Sequence, residues 1–189
     1  MVRAIHISLA RCCILSPSTS IPLRYLVKTR AAVEAAVERA DGGKVVLMGH
    51  SAGGWLARAV MLDEEWAEQH VRGLVTLGAP HQPPPDGFPD MTRGVLRNLK
   101  LASPGAPLDG NGIFAMTVAG DAITGDKAGD RQSAEALAFN SYEMVCGDGA
   151  VTGDGIVPLQ AAHLDDKRVL RLTLDGVFHS INDAGQVSI

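Results

Sequence analysis

Aromatic side chains are scarce in this chain: four Phe, two Tyr and two Trp, or 4% of 189 residues. That leaves little stacking surface for single-stranded nucleic acid. A basic excess is also missing. Lys plus Arg number 17 against 21 Asp plus Glu, for a net charge of −4 and a pI near 5.8. A nucleic-acid partner held by phosphate neutralisation is therefore disfavoured. Of the three cysteines, Cys12 and Cys13 are adjacent and Cys146 is distant. They cannot all pair within one chain, no CxxC spacing suits zinc, and they read as small buried hydrophobes in a reducing compartment. No stretch approaches the ~20 uninterrupted apolar residues of a membrane span.

Acidic residues are absent from the start as well. The first is Glu34, preceded by Arg3, Arg11, Arg24, Lys28 and Arg30 and by several serines. Such an acid-poor, Arg- and Ser-containing start is similar to an organelle transit peptide. Residues 1–20 are thus set apart as an atypical or transit-like segment, and residues 21–189 as a single domain. What remains is ordinary for a globular fold, with 46% hydrophobic and 20% charged residues, a balance that excludes intrinsic disorder.

Strand and helix signals alternate. Ala31–Ala40 is strongly helix-forming and is stopped by Asp41-Gly42-Gly43. Lys44–Met48 and Val71–Leu77 read as short buried strands, Ile113–Ala119 as a third, and Val169–Leu174, which alternates, as an edge strand. Helices are expected from Trp55 to about Ala67 and from Asp130 to Val145. The stretch 82–112 reads as a short cap, with a helix from Thr92 to about Leu101. Strands separated by helices predict an α/β fold with a mostly parallel sheet and helices on both faces. Chemistry in such sheets sits beyond the carboxyl ends of the strands.

There, Gly49-His50-Ser51-Ala52-Gly53 follows a buried strand and opens a helix, the context of a nucleophile elbow. A serine needs a base, and the base needs a carboxylate. His179, five residues past the last strand, is the candidate base, with His163 as its rival. Asp154, between Gly153 and Gly155, is the candidate acid, and its rival is Asp121, directly after the third strand. His50 precedes the nucleophile and an elbow directs it away from Ser51. It is grouped with Trp55 and His81 as a candidate lining of the substrate site. No cofactor and no metal is expected.

The runs VVLMGHSAGGWLARAV, VRGLVTLGAPH, SYEMVCGDGAVTGDGIVP and LTLDGVFHS together resemble the α/β-hydrolase superfamily. More closely they resemble lipase-like, GPI inositol-deacylase-related hydrolases of plants, algae and cyanobacteria. The resemblance spans roughly residues 20–182. It implies Ser51 as nucleophile, Asp154 as acid, His179 as base and the backbone N–H of Ala52 as an oxyanion-hole donor. It also implies a plastid destination, with a soluble cytoplasmic protein as the alternative. The departure lies upstream of Ser51, where no HG- or GN-type loop supplies a second oxyanion donor. Only Arg3–Leu9 offers an early strand. The chain reads as a truncated or minimal member, with Lys44–Met48 left as an open edge.

Arg93, Arg97 and Lys100 would share one face of the cap helix and Met91, Val95 and Leu99 another, a pattern suited to peripheral docking on an anionic lipid surface. The expected function is hydrolysis of carboxylic esters, lipid-like ones included, through an acyl-enzyme. The alternatives are a non-catalytic relative serving as a binding module, and an acyltransferase or thioesterase.

Overall fold

Four apolar runs become one sheet. The computed structural model describes residues 23–106, 112–128 and 130–180. Along the chain the elements are α1 (Leu23–Arg39), β1 (Val45–His50), α2 (Ala52–Val60), α3 (Glu64–His70), β2 (Val71–Leu77) and α4 (Val95–Ala102). They continue as β3 (Phe114–Gly120), β4 (Ile123–Thr124), α5 (Ala134–Cys146), β5 (Thr152–Gly153), α6 (Leu159–Ala162) and β6 (Val169–Leu174). The sheet order is β1-β2-β3-β6 and every pairing in it is parallel. The expected strands thus appear within one or two residues of their expected bounds. The transit-like segment 1–20, Arg3–Leu9, Cys12 and Cys13 lie outside the described residues.

Register sorts the strand residues onto two faces. Leu47, Leu74, Ala115 and Val169 form one row across the sheet, and Met48, Val75, Met116 and Leu170 form the next. Successive rows point to opposite faces. The first row enters the core. Leu47 and Leu74 join Leu26, Val33, Ala57, Val60, Trp66 and Leu99, drawn from α1, α2, α3 and α4. The second row, with its neighbours, holds Val46, Met48, Phe114, Leu170 and Leu172, which are 42–67% exposed. Parallel sheets ordinarily bury both faces, whereas these five apolar side chains are exposed. Among the described residues β1 pairs only with β2.

Three helices differ from expectation for local reasons. The helix expected from Trp55 to Ala67 is two helices. Asp63 adopts an extended backbone and its carboxylate accepts the Trp66 N–H at 3.2 Å. That cap ends one helix and starts another, turning Trp66 and Ala67 into the core. α5 starts at Ala134 rather than Asp130 because Ser133 caps it, its hydroxyl accepting the Ala136 N–H at 3.1 Å. α4 starts at Val95, since the Asp90 carboxylate takes the Thr92 and Gly94 N–H groups and holds Arg93 in a left-handed turn, φ 53°. Arg93 therefore does not share a helical face with Arg97 and Lys100. Arg97 pairs with Asp86 at 3.0 Å. The short elements β4, β5 and α6 carry no strong sequence signal; β4 and β5 pair antiparallel and frame the loop that holds Asp154.

Candidate active site

Ser51 sits directly after β1 with φ 52° and ψ −125°, a conformation that costs a non-glycine residue free energy and is held only by its surroundings. The surroundings are tight. Its N–H donates to Leu77 O at 2.9 Å, and its own carbonyl accepts the Gly54 N–H at 3.0 Å. A Cβ on Gly49 would collide with the carbonyl of Gly53, and one on Gly54 with the Cβ of Ala79. Gly53 itself has open space around it, so the small residues the elbow needs are Gly49 and Gly54. Ala52 opens α2, and a first-turn N–H has no intrahelical partner.

Asp154 and His179 meet. His179 Nδ1 lies 2.7 Å from Asp154 Oδ2, and the His179 backbone N–H donates to Asp154 O at 2.8 Å. The second carboxylate oxygen accepts the N–H groups of Ile156 (2.9 Å) and Val157 (2.7 Å). Three hydrogen-bond donors on one carboxylate fix its plane. Asp154 is 2% exposed and His179 8%. With Nδ1 donating to the carboxylate, a neutral His179 ring is left with Nε2 as its acceptor, the tautomer a general base requires. Neither Nε2 nor Ser51 Oγ makes a hydrogen bond among the described residues. The link between base and elbow runs instead through His50, whose Nε2 lies 3.0 Å from His179 O and whose ring centroid is 4.6 Å from that of His179. His50 therefore packs on His179, the candidate base.

Two residues with no role in the sequence reading shape this corner. Gly78 ends β2 at φ 51°, and a Cβ there would stand 2.7 Å from Asp154 Oδ2 and 3.0 Å from His179 Nδ1. Its signal is the LGAP turn after the strand, which reads only as a terminator. Tyr142, fully buried on α5, donates its hydroxyl to Ile123 O at 3.2 Å and accepts the Gly155 N–H at 2.7 Å. It pins the residue next to Asp154, and burial pushes its hydroxyl up to about 12. A lone Tyr in a helix gives no sequence cue to this.

The remaining candidates go elsewhere. His81, expected to line the substrate site, is 1% exposed and sits in the core. One ring nitrogen lies 2.9 Å from Thr76 Oγ1 and the other 3.3 Å from the Arg58 guanidinium. Burial, then Arg58, hold its pKa well below 6.5. Arg58 is itself buried, and its hydrogen-bond partners among the described residues are His81 and Ser103 rather than a carboxylate. It donates to Ser103 O at 2.6 Å, at the negative end of α4, and burial lowers it to about 10. Trp55 is half-buried against the main core cluster. His163 bridges Thr117 (2.8 Å) and Thr173 (3.1 Å), and burial, then Arg171, lower its pKa. Asp121 accepts the Gly176 N–H at 2.9 Å and so ties the turn after β6.

A cleft of about 580 Å³ lies between Gln82, Lys100, Leu159, Gln160, His163 and Arg171 and touches none of Ser51, Asp154 or His179. Among the described residues no three His, Cys, Asp or Glu side chains are placed to hold a metal ion. No helix among them is long and apolar enough to cross a membrane.

Residues 23–100 match the sequence family described as PGAP1-like alpha/beta domain. The structure is similar to that of the Bacillus licheniformis lipase BlEst2 in its mature form, with a TM-score of 0.54 at 17% identity over 82% of this chain. The chain covers 66% of that lipase, just under two thirds of its length. No curated protein sequence matches the chain. The architecture is that of the α/β-hydrolase fold.

Proposed function

From that α/β-hydrolase fold, we propose that the protein is a serine hydrolase that cleaves carboxylic esters. The observation that carries the reading is the 2.7 Å contact between His179 Nδ1 and Asp154 Oδ2, packed against the residue that precedes the strained Ser51. Ser51 Oγ attacks the ester carbonyl while His179 Nε2 takes its proton. Asp154 holds the Nδ1–H and stabilises the imidazolium that forms. The tetrahedral oxyanion is met by the Ala52 N–H at the positive end of α2. His179 returns the proton to the leaving alcohol, and water repeats the sequence on the acyl-enzyme. No cofactor takes part in these steps.

A lipid-like substrate is favoured by two apolar side chains of the cap segment, one before α4 and one in its last turn. Met91 and Leu101 are 79% and 78% exposed, and Lys100 precedes Leu101 in the last turn of α4. Exposed apolar side chains with a nearby cation in sequence suit contact with an anionic lipid surface. The acid-free, Arg-containing residues 1–33 support a plastid address, tested by following a fluorescent fusion in plant cells.

The test is a fluorophosphonate probe together with p-nitrophenyl esters of increasing chain length. Wild type should be labelled and turn over ester, and Ser51→Ala should do neither. Equal labelling of both would overturn the assignment. Folded protein with no labelling and no turnover would favour a binding module. Faster product formation on adding an alcohol or a thiol would favour acyl transfer.

A further inference from the structure

We propose that His50 is a positioning residue that sets His179 relative to the nucleophile. The proposal rests on the reading of Ser51 and His179 as nucleophile and base.

His179 lies in the loop after β6, five residues past Leu174. It is 8% exposed, and its geometry is dominated by two neighbours, Asp154 and His50. Two hydrogen bonds come from Asp154, which takes its Nδ1 and its backbone N–H. Those bonds hold one edge of the ring and one end of the residue. They leave two motions free: rotation of the ring about the Nδ1···Oδ2 line, and movement of the His179 carbonyl.

His50 restrains both. A carbonyl oxygen only accepts, so His50 Nε2 carries a proton and donates it to His179 O at 3.0 Å. The two rings pack with centroids 4.6 Å apart and planes 37° apart. That contact resists rotation of the His179 ring. The Gly78 backbone closes on the Nδ1 and Cε1 edge of the same ring. His50 is also the residue bonded to Ser51, at the end of β1. Any displacement of β1 therefore carries the nucleophile and the anchor of its base together. This link does not pass through Asp154.

The consequence concerns reaction rate more than substrate affinity, because a misplacement of ~1 Å costs about 100-fold in rate when the reacting groups must be aligned. Three variants separate the parts of the contact. His50→Phe keeps a ring against His179 and removes the donor. His50→Gln keeps a donor of similar reach and removes the ring. His50→Ala removes both. Thermal melts establish that each is folded. The expected result is that His50→Phe and His50→Ala slow fluorophosphonate labelling of Ser51 and lower kcat on p-nitrophenyl butyrate about 10- to 100-fold. KM should stay near the wild-type value, and His50→Gln should regain most of the lost rate.

A second readout does not need turnover. The Nδ1–H proton shared with Asp154 is followed as a low-field proton resonance, which should broaden or shift in His50→Phe and return in His50→Gln. Wild-type rates in a folded His50→Phe that still labels at Ser51 would overturn the positioning role and leave the hydrolase reading standing. So would a His50→Gln as slow as His50→Phe, since the carbonyl bond would then not be what matters. If wild type itself fails to label, the hydrolase reading falls. The resonance then decides the positioning claim alone: unchanged in His50→Phe, it is overturned.

Discussion

Gly78 lies under the Asp154–His179 pair so closely that a single added carbon would stand 2.7 Å from Asp154 Oδ2 and 3.0 Å from His179 Nδ1. The end of β2 is thus part of the site, although it contributes no side chain. Its positive φ of 51° adds a second reason for glycine.

Gly78→Ala should therefore act on both stability and rate. The left-handed conformation costs alanine roughly 1 kcal/mol, and the new methyl must push the carboxylate or the ring aside. We expect a lower melting temperature and a drop in kcat of about 100-fold on a short ester. A melt and a p-nitrophenyl butyrate assay on one preparation check this. Unchanged kcat would mean that the pair tolerates displacement.

Tyr142 tests the support of the acid from the other side. Tyr142→Phe removes the acceptor of the Gly155 N–H and the donor to Ile123 O, and the ring remains. The expected loss is about 1–3 kcal/mol in denaturant unfolding, because a buried N–H loses its partner. A fall in kcat with KM held should accompany it, since Asp154 is adjacent to the loosened residue. A loss of stability with no change in kcat would confine Tyr142 to the fold.

Arg58 is a buried cation whose polar partners are His81 and Ser103 O. Arg58→Ala strips both of their partner and opens a cavity. The expected cost is about 3 kcal/mol or more. Both variants lose the charge and its bonds, but Arg58→Met keeps the stem volume and should cost less than Arg58→Ala because it leaves a smaller cavity. Urea denaturation of the two variants beside wild type ranks them. The reverse order would show that the site does not accept the longer apolar side chain.

Acid should weaken the fold through buried His81 and half-buried His163. Burial holds the folded pKa of His81 well below 6.5, and that of His163 below 6.5. In the unfolded chain each titrates near 6.5. As pH falls through that value the unfolded state takes up protons that the folded state refuses, so stability drops with falling pH. It is whole above about 6.5 and declines progressively below, by at most ~1.4 kcal/mol per pH unit per histidine. Denaturation midpoints at pH 7.5 and 5.5 read the effect, and His81→Gln should reduce the slope. An identical slope in that variant would assign the acid sensitivity to other groups.

The elements were largely legible in the sequence because their causes are local. Unbroken apolar runs such as Val71–Leu77 become buried parallel strands, and the Asp41-Gly42 stop ends α1 where the chain turns left-handed. Ser51 was legible for the same reason, since an elbow is a property of a few consecutive residues. Its glycine requirement was not wholly so: Gly54 is needed against Ala79, a residue from another strand end.

The sequence by itself determined the parallel strand pattern, the elbow and the pool of histidines and carboxylates from which a site could be drawn. Only the tertiary structure decided among them. It set His179 on Asp154, gave His163 to two threonines and Asp121 to a backbone N–H, and sank His81 into the core beside Arg58. These residues differ little in type or in local context. What separates them is which loops the packed sheet brings together across sequence separations of up to 129 positions, and no pattern of neighbouring residues encodes a meeting at that range.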